Sequence, residues 1–465
     1  MEVDLISIRF GRLRGAMPPL GPLSLIAALE DAGISVRLTD TQFDPSMNPF
    51  AVEPLAEWID KSDAHVIAFS VFNDAVPLVV ATLQFMAEKL KNRRIIIGGP
   101  GVVGIAAQLV ELVPEIEMVV VGEGETAFPM AVLTPNRAAA MPGVFSRTAN
   151  GTVTGFGRTP RESIDSLPKI DWATLQPRYS LVPWSTMRGC PFGCKFCEII
   201  AFMGRRVVAR DLDAAIDDLE RAMKALGSGH VSILDDTFTL SKDRVLETCR
   251  KLRERNLQIS FEIFSRTDTI DLEMMEHLAE AGCVRVFFGI DGGDDEVLKR
   301  IAKQLRISEA ENTIRQAADY FEVTASFIWG YPFESMASFT KMMALADRLR
   351  LNKSGHSIWP QLHLLSPSAG TPLFEEFKGT LKLDPRVETL PLAGGNLITN
   401  AFQSMYGRVH DVIASESVLA APFYRYETPE FELKRAEAER FNKLLDQQLG
   451  HLLIQQLNMQ EESCV

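Results

Sequence analysis

An α/β chain built in two series is what this sequence predicts. A doubly wound parallel sheet comes first, then a partial (β/α)6 barrel, then a mainly helical C-terminal region. Three observations carry this. Short apolar runs alternate with amphipathic stretches over residues 1–135, and the alternation starts again at Leu181. Between the first and second strands of that restarted series, residues 187–198 read MRGCPFGCKFCE and place Cys190, Cys194 and Cys197 within eight positions.

The 465 residues suffice for two or three domains. The chain is 46% hydrophobic and 23% charged, ordinary for a globular protein. The formal net charge is −13 and no dense Lys/Arg stripe is present. That argues against a nucleic-acid or anionic-membrane partner, because both rest on clustered positive charge. A small basic pocket for an anionic substrate is compatible with it. The opening MEVDLISIRF enters an alternating strand pattern rather than a secretory signal. No apolar run approaches the roughly twenty residues of a spanning helix. Six cysteines, three of them clustered, suit a reducing cytoplasm.

In the first series, residues 3–10 and 35–39 read as strands around a helix at 23–32 that Gly33 stops. Residues 65–71 (HVIAFSV) are apolar almost throughout, as a strand covered on both faces should be. A helix at 76–90 and strands at 94–99 and 117–122 complete about five strands. A doubly wound sheet binds ligands at the carboxyl ends of its strands. There the sequence puts the Gly- and Pro-rich stretch 12–22, then Ser70, Gly98-Gly99-Pro100 and Gly122-Glu123-Gly124-Glu125. Glycines there let a ligand approach the backbone; each taken singly is an ordinary turn glycine. Residues 136–180 read as a connector. Asn150-Gly151 predicts a hairpin, and 166–177 is loop-like.

The cysteine run is too tight for a disulfide framework, and three thiols cannot pair evenly. Gly189, Pro191 and Gly193 break regular structure, so the loop can wrap a compact group. Converging thiolates suit a soft metal site. A [4Fe–4S] cluster needs four ligands, so three cysteines leave one iron open as a binding position. Structural zinc would want a fourth Cys or His close by, and none follows. Burial as a small apolar residue explains a lone cysteine better than a triplet, and it is the reading for Cys249 and Cys283. Cys464 lies in the tail, and no second cluster is expected.

The second series has strands at 182–186, 231–234, 259–264, 284–290, 324–329 and 361–365. Helices are expected at 211–226, 243–254, 272–281 and 309–320. Its strand ends are polar, where barrel enzymes keep their chemistry: Asp235-Asp236-Thr237, Ser265-Arg266, Asp291-Gly292-Gly293, and Gly330 to Glu334.

With Phe196 before its last cysteine, the loop resembles that of the radical S-adenosylmethionine (SAM) superfamily. The resemblance implies a [4Fe–4S] cluster on Cys190, Cys194 and Cys197 whose open iron binds SAM, and reductive cleavage of SAM to a 5′-deoxyadenosyl radical. PPLGPLSL, IIIGGPG and VVVGEGE together resemble the N-terminal domain of cobalamin-binding radical SAM proteins. That implies a cobalamin site at Ser70, Gly98, Gly99, Gly122, Glu123 and Gly124. The DxHxxG motif that supplies a cobalt ligand elsewhere is absent; relatives that lack it hold cobalamin without a histidine ligand, and His65 reads as structural.

By the same resemblance, ILDDTFT stands where the family binds the SAM amino group, but without its usual GGE. Asp235, Asp236 and Thr237 offer the acceptors. Arg266 is the candidate for the SAM carboxylate, with an ion pair to Asp268 or Asp271 as the competing use. Asp291 in FFGIDGG and Gly330 in WGYPFES occupy family segments that pass SAM, with Asp291 replacing the usual Glu. For Glu334 a purely structural use is the competing reading. The domains implied are 1–135 cobalamin-binding-like, 136–180 connector, 181–375 radical SAM barrel and 376–465 substrate-specific.

The expected activity is cobalamin-dependent methyl transfer to an unactivated carbon of a small-molecule substrate. Cyclisation, rearrangement or another group transfer is the alternative. An electron donor such as flavodoxin or ferredoxin is implied, and no catalytic side chain is assigned. In the last region, 391–400 (PLAGGNLITN) reads as irregular. A helix at 427–457 carries the stripe Leu433, Ala436, Phe441, Leu444, Leu445 and Leu452. Among the histidines, His363 is the one placed to face a cavity.

Overall fold

The computed structural model describes residues 2–10, 16–175, 179–352, 354–384 and 407–462, without the side chains of 446 and 448–462. The irregular stretch 391–400, residues 12–15 of the first Gly/Pro-rich loop, Leu452 and Cys464 lie outside that description. The chain divides into two compact units. One comprises Met1–Phe238, Glu254–Phe261 and Ser366–Arg425; the other comprises Thr239–Arg253, Glu262–Leu365 and Tyr426–Val465.

The first unit is organised on a seven-stranded sheet of β1 (Val3–Ser7), β2 (Val36–Asp40), β3 (Val66–Ser70), β4 (Arg94–Gly98), β5 (Ile116–Val120), β6 (Val144–Arg147) and β7 (Val153–Thr154), ordered β2-β1-β3-β4-β5-β6-β7. The first five strands pair in parallel. Order reversal at β1/β3 makes the switch point at which a doubly wound sheet opens a crevice. The expected hairpin at Asn150-Gly151 is present, and it joins this sheet antiparallel to β5.

Side-chain alternation buries both faces. Val66 and Ala68 enter one core with Leu5, Ile96 and Val120, while Ile67 and Phe69 enter the other with Ile6, Ile97 and Val119. Helices at Val52–Lys61, Ala106–Leu112 and Ala127–Leu133 were not anticipated. The first of them buries Val52, Leu55, Ala56 and Ile59 at helical spacing. The helix Leu20–Asp31 starts three residues earlier than expected, with Pro22 inside its first turn, where its missing N–H costs nothing.

The same unit holds the start of the second series. β8 (Val182–Trp184) and β11 (His230–Ile233) pair in parallel. Between them, β9 (Met187–Arg188) pairs antiparallel with β10 (Val208–Ala209). This short ladder was not foreseen; it closes the base of the cysteine loop and of the helix Glu198–Met203. From the C-terminal region, Val409, Val412, Ile413 and Phe423 return to the core of the first sheet.

The second unit carries most of β12 (Ser260–Ser265), then β13 (Cys283–Gly289), β14 (Glu322–Trp329) and β15 (Ile358–Leu364). β13, β14 and β15 are parallel neighbours. Its terminal helix, Phe431–Glu462, is in different phase from the expected stripe. Lys434, Arg435, Ala438, Phe441 and Leu445 are buried, whereas Leu433 and Leu444 are exposed. A lysine on the buried face shifts the phase, because it has a carboxylate partner there.

Candidate active site

The cysteine loop is held from beneath by the aspartates that follow β11. Asp235 is wholly buried. Its carboxylate accepts from the Thr186 amide at 2.7 Å, the Thr186 hydroxyl at 2.5 Å, the Met187 amide at 3.1 Å and the Ser185 hydroxyl at 3.1 Å. Burial works to raise its pKa, and these donors work to lower it. All of these donors come from residues 185–187, which lead into the loop.

Asp236 accepts from the Gly189 amide at 2.9 Å. Gly189 has φ of 94°, and a Cβ there would stand 2.5 Å from the Arg206 carbonyl. Only glycine turns the chain tightly enough at that point. Burial, with Asp235 adding to it, pushes the Asp236 carboxyl up to about 6. The Thr237 hydroxyl lies 3.7 Å from the Cys190 sulfur, so it sits on the first cysteine of the loop.

All three loop cysteines are free thiols, Cys194 buried and the others half-buried. The Cys197 amide donates to the Cys194 carbonyl at 3.2 Å. Burial chiefly, then Cys194, Cys190 and Asp236, push the Cys197 thiol up to about 12. The three sulfurs are therefore electrostatic neighbours whose joint ionisation calls for a cation. No three His, Cys, Asp or Glu side chains among the described residues converge on a single metal ion.

The loop is also held by the turn after β5, a link that sequence reading missed. Arg188, on the ladder just before Gly189, donates to Glu125 at 2.8 Å and lies 3.7 Å from Glu123. Arg161 donates to Glu123 at 3.1 Å and to the Arg188 carbonyl at 3.0 Å. Glu125 also accepts from the Ser24 hydroxyl at 2.8 Å. Burial raises the Glu125 carboxyl, but the Arg188 charge and these hydrogen bonds outweigh it and hold it below the usual range. The available signal was a pair of glutamates flanking Gly124 and an arginine inside a two-residue strand.

These parts enclose one cavity of about 400 Å³. Ser70, Gly98, Gly99, Gly122, Glu123 and Gly124, the residues singled out at the strand ends, all line it. Met187, Arg188 and Asp236 line it from the side of the cysteine loop. Its inner end runs between Leu5, Ala68, Ile96 and Val120 on the sheet face. Gly99 has φ of 101°, and a Cβ there would meet the Val71 carbonyl at 2.6 Å. No histidine is among the lining residues.

In the second unit, the candidate SAM residues have partners of their own. Arg266 is buried; it forms paired hydrogen bonds to Asp268 at 2.8 and 2.7 Å and donates to the Lys303 carbonyl at 2.8 Å. The competing ion pair is the one present in this structure. Asp291, at φ of 62°, is paired with buried Lys303, and its carbonyl accepts from the Tyr331 hydroxyl at 2.9 Å. The Gly330 amide donates to Glu334 at 2.9 Å. Glu334 lies 3.6 Å from Lys434 of the terminal helix, and both are buried. His363 bonds Gln361 at 3.2 Å, and burial lowers its pKa.

Comparison with known proteins gives this geometry a family. The radical SAM superfamily profile matches residues 184–346, and the B12 binding domain profile matches residues 6–132. Residues 184–346 are thus a radical SAM domain. The chain is a radical SAM enzyme with an N-terminal B12-binding domain.

An uncharacterized methyltransferase of Pyrococcus horikoshii is 25% identical over 374 residues, which cover 77% of this chain and 78% of the relative. The anaerobic magnesium-protoporphyrin IX monomethyl ester cyclase of Cereibacter sphaeroides is 24% identical over 397 residues, covering 80% and 62%. The radical SAM methyltransferase TsrM of Kitasatospora setae, solved with cobalamin and a [4Fe–4S] cluster bound, superposes with a TM-score of 0.67. It is 19% identical, and the match covers 95% of this chain and 91% of that one.

Such an enzyme takes a [4Fe–4S] cluster, SAM and cobalamin. The residues present fit the first, because three free thiols sit within eight residues of one glycine-broken loop. They fit the last as well, because Gly98, Gly99, Gly122 and Gly124 line the cavity without side chains, and Leu5, Ala68, Ile96 and Val120 give it an apolar lining.

Proposed function

We propose that this chain is a cobalamin-dependent methyltransferase acting on an unactivated carbon of a small-molecule biosynthetic intermediate. The observation that carries the reading is the shared cavity. The B12-type strand ends and the residues that lead into the cysteine loop line the same space. When bound, the cluster and SAM supply a carbon-centred radical and the corrinoid supplies the methyl group, chemistry that belongs to the cofactors.

The chain's own residues hold the parts. Cys190, Cys194 and Cys197 ligate the cluster. Ser70, Gly98, Gly99, Gly122 and Gly124 admit the corrinoid at the backbone. Glu123 belongs to the corrinoid wall and also fixes Arg161 and Arg188. Asp235 and Asp236 set the entry to the loop, and Thr237 buttresses Cys190. Asp291 and Gly330 shape the later loops. We place the domains at 1–135, 136–180, 181–375 and 376–465, the electron donor among flavodoxins or ferredoxins, and the protein in the cytoplasm.

The likeness to a ring-forming cyclase keeps one second reading, cyclisation or another group transfer on the same scaffold. Anaerobic turnover with methyl-deuterated SAM and quantified iron and corrinoid separates them. Methyl transfer predicts S-adenosylhomocysteine and 5′-deoxyadenosine together, with label in the product. Deoxyadenosine without S-adenosylhomocysteine gives the second reading. Reconstituted protein that retains no corrinoid ends the first.

A further inference from the structure

Three arginines around the cysteine loop have no acidic partner among the described residues. Arg158, Arg205 and Arg206 are all exposed. Arg205 donates to the Pro191 carbonyl at 2.9 Å, inside the loop. Arg158 donates to the Ile200 carbonyl at 3.1 Å, on the helix that follows Cys197. Both acceptors are neutral, so neither guanidinium loses its charge to them. Arg206 presents its side chain to solvent, while its carbonyl is taken by Arg161. Two glycines of this region lie beside the collar, and only Gly204 approaches its arginine closely. A Cβ on Gly193 would stand 3.7 Å from the Arg205 guanidinium carbon, and one on Gly204 would stand 2.9 Å from Arg158. By contrast, Lys195, on the same loop, is paired with Glu376 at 3.6 Å.

Exposed arginines are usually just solvated, and one alone would mean nothing. Here three such charges, from the connector and from the turn after the helix Glu198–Met203, gather beside the cysteine loop of a chain whose net charge is −13. Their position matters because reductive cleavage of SAM consumes one electron per event. The described residues offer no second redox-active cluster to store it, since Cys249 and Cys283 are buried as single thiols.

We propose that Arg158, Arg205 and Arg206 form the docking face for an acidic one-electron carrier protein, which delivers its electron to the cluster loop. This rests on the radical SAM reading and names where its reductant binds. In the step, one electron leaves the reduced carrier and the cluster falls by one unit of charge. No bond forms or breaks, and no proton moves. A nucleic acid is the less suited occupant, because three phosphate contacts give weak, salt-sensitive binding and the rest of the chain repels a polyanion. Complementary charge of this kind acts mainly on the association rate.

The test uses reconstituted holoenzyme and reduced flavodoxin, with bleaching of cluster absorbance followed by stopped flow at low and high salt. Wild type should be reduced fast at low salt and several-fold slower at high salt. R158E/R205E/R206E should lose about tenfold of the low-salt rate and most of the salt dependence; R206E alone should lose about threefold. Because Arg158 and Arg205 touch the loop, each rate is divided by the rate of reduction by dithionite, which needs no docking. R206E should be reduced by dithionite as wild type is.

Unchanged flavodoxin rates in the triple variant overturn the docking face. So does a slower dithionite reaction in R206E, which would place that residue's effect on the cluster itself. Tight binding of a single-stranded RNA oligomer that the triple variant loses would assign the face to nucleic acid instead. Failure of dithionite to reduce wild type, or of the reduced protein to cleave SAM, is a different result and counts against the radical SAM reading.

Discussion

The polar strand ends of the two units look alike in sequence and differ in what they have left to give. In the second unit, Arg266 is spent on Asp268 and the Lys303 carbonyl, Asp291 on Lys303, and Glu334 on Gly330 and Lys434. In the first unit, Asp236 faces the cavity with its carboxyl raised to about 6. Asp74, after β3, is buried with no hydrogen bond to either carboxylate oxygen. Satisfied groups set geometry, whereas unsatisfied ones are kept at a cost that some other interaction offsets. The comparison locates unused polar capacity in the unit that holds the cysteine loop and the cavity.

The strongest break in that comparison is loss of the loop itself. Replacing Cys190, Cys194 and Cys197 by Ala should bring iron per chain and deoxyadenosine formation to background, with the protein still folded by circular dichroism. Deoxyadenosine made at the wild-type rate would end the enzyme reading.

Asp74 gives the next largest effect. Burial, reinforced by Glu198 nearby, pushes its carboxyl up to about 7 from 3.8. Between those values the folded state holds a proton that the unfolded state has released, so stability falls as pH rises from about 4 to 7 and stays low above that. Asp74→Asn removes the ionisable group. It should raise stability above pH 7 by up to about 4 kcal/mol and flatten that part of the profile, read as melting temperature against pH. An unchanged slope in the variant would mean that Asp74 is not the group.

The two arginine pairs supply a matched test. Glu125→Ala leaves Arg188 with only Glu123, in a buried setting, and should cost about 2–3 kcal/mol. It should also lower iron retention after gel filtration. Asp268→Ala should cost about 1 kcal/mol, since Asp268 is 37% exposed and Arg266 keeps the Lys303 carbonyl. Iron retention there should stay as in wild type. Equal iron loss in both variants would show that Glu125 has no special hold on the loop.

Much of this was legible beforehand, for identifiable reasons. Strand runs such as HVIAFSV are visible because both of their faces are buried. The cysteine triplet is visible because few other uses explain three thiols in eight residues. The strand-end glycines are visible because positive φ, as at Gly99 and Gly122, leaves few alternatives. Three things were not. The β9–β10 ladder is two residues long and has no periodicity to read. The phase of the terminal helix turned on Lys434, which reads as a surface residue until Glu334 stands opposite it. The tie from Glu125 to Arg188 spans 63 positions, and no local pattern reports such a pair.

By itself, then, the sequence determined residue chemistry and local geometry: which loop can hold a cluster, which turns need glycine, and in what order strands and helices alternate. Tertiary structure decided which charged groups are spoken for. Asp235 reads in sequence as an acceptor without a partner, and folding brings it Thr186 from 49 positions away, whereas the partner of Arg266, Asp268, stands two residues along the chain and was legible there. A hydrogen-bonding group buried in protein must find a partner at once, and that partner comes from the fold, near or far along the chain.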